Sequence, residues 1–133
     1  MINRITLGVF EVVSFPEMGG LNVRAKIDTG AYTGALHCTK IREEEDNKGK
    51  VLYFVPFGQP KNEVAKRDFS RRSVTSSNGQ PQKRYFIKTI VKVRGKNYPI
   101  TLSLADRSEM RRPLLIGRKF LRANNFLVDV SQR

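Results

Sequence analysis

Leu21-Asn22-Val23-Arg24-Ala25-Lys26-Ile27-Asp28-Thr29-Gly30-Ala31 is the stretch on which the fold turns. Leu21, Val23, Ala25 and Ile27 fall on one face, with Asn22, Arg24 and Lys26 on the other, which is the alternation of a half-buried strand. The strand ends by delivering Asp28 into an Asp-Thr-Gly loop. Thr29 brings a hydroxyl and a β-branched body suited to fixing that loop by hydrogen bonding, and Gly30 admits backbone conformations and close approaches that a Cβ blocks. Taken alone, the triplet is an ordinary turn after a strand, because Asp, Thr and Gly are all favoured there.

Outward from this stretch the period of two persists. Tyr85, Ile87, Thr89, Val91 and Val93 alternate with Lys88, Lys92 and Arg94, and Tyr98, Ile100, Leu102 and Leu104 alternate with Thr101 and Ser103. Gly95-Lys96-Asn97 between them predicts a hairpin. Residues 4–15 are rich in β-formers and stop at Pro16 and Gly19-Gly20, so a hairpin into Leu21 is expected. Ser76-Ser77-Asn78-Gly79 predicts a third hairpin tip, since Asn-Gly suits a turn with positive φ. Glu43-Glu44-Glu45-Asp46 reads as a solvated loop, and residues 58–73 carry no clear period. The one helix candidate is 117–123, with Phe120 and Leu121 turned inward, followed by a final strand over 126–130. The fold class is therefore all-β with one short C-terminal helix, and residues 1–133 read as a single domain.

Composition narrows the function classes. The formal net charge of +13 favours acidic partners. The cations, however, come as scattered pairs such as Lys66-Arg67, Arg71-Arg72 and Arg111-Arg112, a pattern that argues against a nucleic-acid-binding surface. No apolar run approaches the roughly 18 to 20 residues of a membrane span. A single cysteine, Cys38, and the lack of a leader pattern at the N-terminus predict a reducing, cytoplasmic setting.

A second element lies far downstream: Pro113-Leu114-Leu115-Ile116-Gly117-Arg118-Lys119-Phe120-Leu121, an apolar strand that ends in glycine and turns into a helix. Together with Ala25-Lys26-Ile27-Asp28-Thr29-Gly30-Ala31 it resembles the retropepsin-like aspartic peptidases. A narrower resemblance is to the bacterial and archaeal family labelled ATP-dependent zinc proteases, otherwise known as retropepsin-like proteins associated with a ribosomal-protein glutamate ligase. Thr33, Ala35-Leu36-His37, Leu102, Ala105-Asp106-Arg107-Ser108, Met110 and Leu127-Val128-Asp129-Val130-Ser131 carry it, so that it covers nearly the whole chain.

The resemblance implies a closed six-stranded acid-protease barrel, a flap hairpin over the cleft with Asn78 and Gly79 at its tip, and a two-fold homodimer. It implies Asp28 as the catalytic carboxylate, Thr29, Gly30 and Ala31 as its supporting loop, and Leu115, Ile116 and Gly117 as the strand beneath. Arg118, Asp106 and Arg107 become candidates for the cleft or interface. Carboxylate-driven peptide hydrolysis needs two acids sharing a proton, one acting on water while the other donates to the substrate carbonyl. One Asp-Thr-Gly per chain supplies half of that pair, which again calls for a homodimer. The expected activity is an aspartic endopeptidase on peptide or protein substrates, acidic ones by charge. The alternative is a catalytically silent barrel serving a glutamate ligase or ribosomal component.

Viral retropepsins carry an acid directly after the alanine, paired with the arginine that follows the late glycine. Here Tyr32 stands in that place and Arg118 is retained, leaving Asp106 or Asp129 as the arginine's expected partner. No metal or other cofactor is expected. The chain has one histidine, no His-Glu-x-x-His helix and no phosphate loop ending in Lys-Ser or Lys-Thr, and His37 and Cys38 are adjacent and so point to opposite faces of a strand.

Overall fold

The computed structural model describes residues 4–75, 79–108 and 111–133. The chain is mostly β, with one short helix among the described residues. Its strands are β1 (Thr6–Leu7), β2 (Phe10–Ser14), β3 (Asn22–Ile27), β4 (Gly34–Asp46), β5 (Gly49–Pro56), β6 (Val64–Lys66), β7 (Phe69–Thr75), β8 (Pro81–Val93), β9 (Lys96–Ala105), β10 (Leu114–Ile116) and β11 (Leu127–Val128), and the helix is α1 (Arg118–Ala123). None of the described helices is long and apolar enough to cross a membrane.

β10 is the element that organises the sheet. It pairs parallel with β3, Ile116 opposite Ile27, and antiparallel with β4, Leu115 opposite Ala35. From β3 the pairings continue through β2, β8, β9 and β4 and so return to β10. The interior of this circuit is filled by the expected alternation: Val23, Ala25 and Ile27 from β3, Ile87, Val91 and Val93 from β8, and Ile100, Leu102 and Leu104 from β9 are buried. Burying each of these Val, Ile and Leu side chains contributes about 1.5–3 kcal/mol. Two polar residues are also buried, with their bonds satisfied: the Thr89 hydroxyl donates to Glu17 and the Ser103 hydroxyl to the Gly34 carbonyl.

α1 is too short to be stable alone. It is anchored by the burial of Phe120 and Leu121 and by a ring cluster in which Tyr98, Phe120 and Phe126 lie 5.3 to 5.9 Å apart between centroids.

Several local expectations are corrected. The acidic run is not a loop: β4 carries through Asp46 and pairs with β5, because basic neighbours neutralise it. Glu43 meets Lys50 and Arg71, Arg42 bridges Glu44 and Glu63, and Arg67 meets Asp46. Leu21 precedes β3 and is 40% exposed rather than buried. The β8–β9 turn is Arg94-Gly95, both with positive φ, so Lys96 and Asn97 already belong to β9. The last strand is only Leu127–Val128, pairing parallel with β1, and Val130 beyond it is 80% exposed. Residues 58–73 hold β6, most of β7 and a short turn of 3-10 helix, Pro60–Asn62.

Candidate functional site

Asp28 stands at the end of β3, half-buried, on a loop held from two sides. Beneath it, its own N–H donates to the Ile116 carbonyl at 2.8 Å, which continues the β3–β10 ladder by one step. Beside it, the Arg118 N–H donates to the Ala31 carbonyl at 2.8 Å and the Lys119 N–H to the Tyr32 carbonyl at 3.0 Å. The first free N–H groups of α1 are thus spent on the loop, as helix starts require. Within the loop, the Ala31 N–H closes a turn on the Asp28 carbonyl at 3.2 Å, and the Gly30 N–H donates to Asp28 Oδ1 at 3.0 Å. An N–H aimed at the carboxylate fixes its orientation.

Two glycines make the crossing possible. A Cβ on Gly117 would lie 2.5 Å from the Tyr32 carbonyl oxygen and 2.8 Å from that of Ala31, and a Cβ on Gly34 would land on the Leu115 carbonyl. Backbone meets backbone at both points, so no side-chain movement relieves the clash.

Thr29 is exposed, and its hydroxyl has no partner among the described residues; backbone bonds hold the loop instead. Arg118 corrects a second expectation, since it pairs with neither Asp106 nor Asp129. Its Nη1 donates to the Gly30 carbonyl at 3.2 Å and its guanidinium stacks 5.3 Å from the centre of the Tyr32 ring, so the aromatic ring takes the place of the missing acid. Both carboxylates are occupied locally. Asp129 accepts from the amide and hydroxyl of Ser131, and the same pair of bonds from Ser108 holds the Asp106 carboxyl below its usual range.

The segment after β9 approaches the site through Arg107 rather than Asp106. The Arg107 N–H donates to His37 Nδ1 at 2.8 Å, and its Nε donates to the Arg112 carbonyl at 2.8 Å. Burial and the nearby charge of Arg84 push the Arg107 guanidinium down from its ordinary value, while the charge of Asp28 opposes them. His37 is therefore the anchor of this segment. The same Nδ1 lies 3.8 Å from Asp106 Oδ1.

Of the expected site residues, Asp28, Thr29, Gly30, Ala31, Leu115, Ile116, Gly117 and Arg118 converge at one crossing. Gly79 has φ +81° beside the β7–β8 hairpin, in which Thr75 pairs with Pro81. Asn78, the other expected tip residue, and Met110 lie outside the described residues. Two concave surfaces flank the loop: one is reached through Thr29 and Arg118 with Arg4 and Arg122, the other through Tyr32, Thr33 and Gly34. Sequence reasoning passed over Tyr32 as a functional contact, although its place beside Arg118 was a readable signal.

The donor set does not suit zinc. Cys38 is fully buried, and burial pushes its thiol up to about 12, so the thiolate a metal requires is disfavoured. His37 already spends Nδ1 on Arg107, and the described residues hold no group of three His, Cys, Asp or Glu side chains arranged for a metal.

A family model described as RimB-like, "Retropepsin-like aspartic endopeptidase RimB", matches residues 6–133. Among curated proteins, a probable alpha-L-glutamate ligase of Shewanella pealeana is 30% identical over 135 residues, covering 98% of this chain and 29% of the ligase. One from Parasynechococcus marenigrum is 28% identical, covering 97% of this chain and 28% of that protein. The chain thus spans under a third of the length of these relatives. A crystal structure of a Legionella pneumophila protein of unknown function superposes with a TM-score of 0.76 at 26% identity, covering 97% of this chain and 95% of that one.

Proposed function

Because the chain belongs to the RimB-like family of retropepsin-like aspartic endopeptidases, we propose that it is an aspartic endopeptidase acting as a homodimer, with Asp28 of each copy forming the catalytic pair. In this reading residues 1–133 form one domain, and the six-strand circuit is the closed barrel of that fold. The β7–β8 hairpin is its flap. Asp28 and its mate share one proton; the ionised acid takes a proton from water as it attacks the scissile carbonyl, and the protonated one donates to the carbonyl oxygen. Gly30 holds the carboxylate by its N–H, and Leu115, Ile116 and Gly117 strap the loop from below. The Thr29 hydroxyl, without a partner among the described residues, lies on the exposed face where the partner's loop would meet it.

The observation that carries the reading is a half-buried carboxylate, oriented by a backbone N–H on a doubly strapped loop, to which no second carboxylate bonds among the described residues. Such a site is half of a two-acid device. Asp28→Asn tests it. The variant is expected to keep its fold and association and to lose peptide cleavage, and undiminished hydrolysis would refute the assignment. The net charge of +13 supports acidic protein substrates, and the single cysteine, Cys38, supports a reducing, cytoplasmic setting.

A second reading is favoured by one finding: in the curated relatives this region accompanies a much longer protein named as a ligase. On that reading the barrel is a silent partner of a glutamate ligase. Sedimentation separates the two, since a chain that stays monomeric at high concentration yet binds a ligase supports the silent partner.

A further inference from the structure

The concavity that opens beside Tyr32, Thr33 and Gly34 does not stop there. It has a volume of about 300 Å³ over a floor formed by Pro99, Ile100 and Phe120. A second concavity of about 340 Å³ runs along the base of the β7–β8 hairpin past Phe69 and Arg72. Lys88, Thr101 and Lys119 line both, so the two form one trough with these three residues at its saddle. Its near end begins four residues after Asp28, on the same loop that α1 straps down.

The charges along this trough are uncompensated. Some cations elsewhere have acidic partners, as in Arg94 with Glu11, Lys66 with Glu17 and Arg67 with Asp46. Lys88 and Lys119 are both exposed and form no ion pair among the described residues; Lys119 has only the Tyr32 ring, 6.0 Å away. Arg72 lies over the Phe86 ring at 4.6 Å, and among the described residues that line the trough Asp68 is the one carboxylate set against these three cations. An apolar floor under an ammonium saddle suits a chain whose methylenes lie on the floor while its carboxylates reach Lys88 and Lys119.

We propose that this trough is an extended substrate subsite, in which Lys88 and Lys119 bind acidic side chains of the peptide several residues from the bond presented to Asp28. The proposal rests on the peptidase reading above and adds where the acidity is recognised.

The test reads binding without turnover. A fluorescein-labelled acidic peptide is titrated into the 133-residue chain carrying D28N by anisotropy, against D28N carrying Lys88→Glu and Lys119→Glu, and against D28N carrying Lys48→Glu and Lys92→Glu. The two double variants have the same net charge. Loss of two exposed charge contacts is expected to weaken binding about tenfold at the trough and far less in the control. Lys88→Gln with Lys119→Gln is expected to give an intermediate loss and guards against misfolding of the reversed pair. Equal weakening in both reversed variants would overturn the site in favour of undirected attraction. So would an oligodeoxynucleotide that binds as tightly as the peptide and is lost on the same substitutions. Absence of hydrolysis by the wild-type chain, with trough-dependent binding intact, would count against the peptidase reading and leave this site standing.

Discussion

Replacing Gly117 by alanine places a methyl carbon 2.5 Å from the Tyr32 carbonyl oxygen and 2.8 Å from that of Ala31. Those two oxygens accept the Lys119 and Arg118 N–H groups, so the methyl must push apart the atoms that strap the loop to α1. Overpacking of this kind costs about 1–3 kcal/mol, and each of the two weakened backbone hydrogen bonds adds about 0.5–1.5 kcal/mol, for a total of roughly 2–6 kcal/mol. Against a typical domain stability of about 5–15 kcal/mol that is a large fraction. Urea unfolding followed by far-UV circular dichroism measures it, with Lys119→Ala, an exposed change on the same helix, expected within about 0.5 kcal/mol of wild type. Amide chemical shifts of residues 28–32 are expected to move in the Gly117 variant, because the loop shifts with the strap. A Gly117→Ala protein within about 0.5 kcal/mol of wild type, with unmoved loop amides, would show that the crossing is not as tight as argued.

Other consequences are open to measurement. Glu11 accepts two bonds from Arg94 and one from the Gly8 N–H, and the Arg94 bond holds its carboxyl below the usual range against the opposing effect of burial. With the folded pKa depressed, the pair's contribution is present above the unfolded carboxyl pKa and is lost as pH falls through the folded one. Arg94→Gln is therefore expected to cost about 1 kcal/mol at neutral pH, and the gap in unfolding free energy to close in acid. The Cys38 thiol, fully buried and raised to about 12, is expected to resist alkylation at mildly alkaline pH until urea unfolds the chain; rapid labelling of the native protein would contradict the packing described. If acidic substrates are drawn by net charge, turnover on an acidic peptide falls with added salt, and a flat salt profile removes that argument.

What was legible in the sequence was whatever a local period encodes. The alternation of Val23, Ala25 and Ile27 gave both the strand and the end at which Asp28 appears, and the same period gave the β8–β9 hairpin. The acidic run misled because charge was read as solvation. Glu43 to Asp46 sit in a strand because Lys50, Arg67 and Arg71 come from other parts of the chain to meet them, and a one-residue period gives no hint of that. Arg118 misled for a related reason. An arginine without its acid was assigned another acid, whereas the ring of Tyr32 and a carbonyl already within reach compete with distant carboxylates that Ser108 and Ser131 had satisfied.

The crossing itself is the least local feature. Ile27 and Ile116 are neighbours across a parallel ladder, and nothing in either strand's own pattern names the other. The residues that record the contact are Gly34 and Gly117, each lacking a side chain because another segment's carbonyl occupies the space. A sequence shows the glycine without showing what it makes room for, so its meaning emerges only when both ends of the crossing are in view. The same logic extends to the carboxylate. Asp28 is oriented, strapped and left without a second acid among the described residues, and that unfinished geometry is the physical ground for seeking its complement in another copy of the chain.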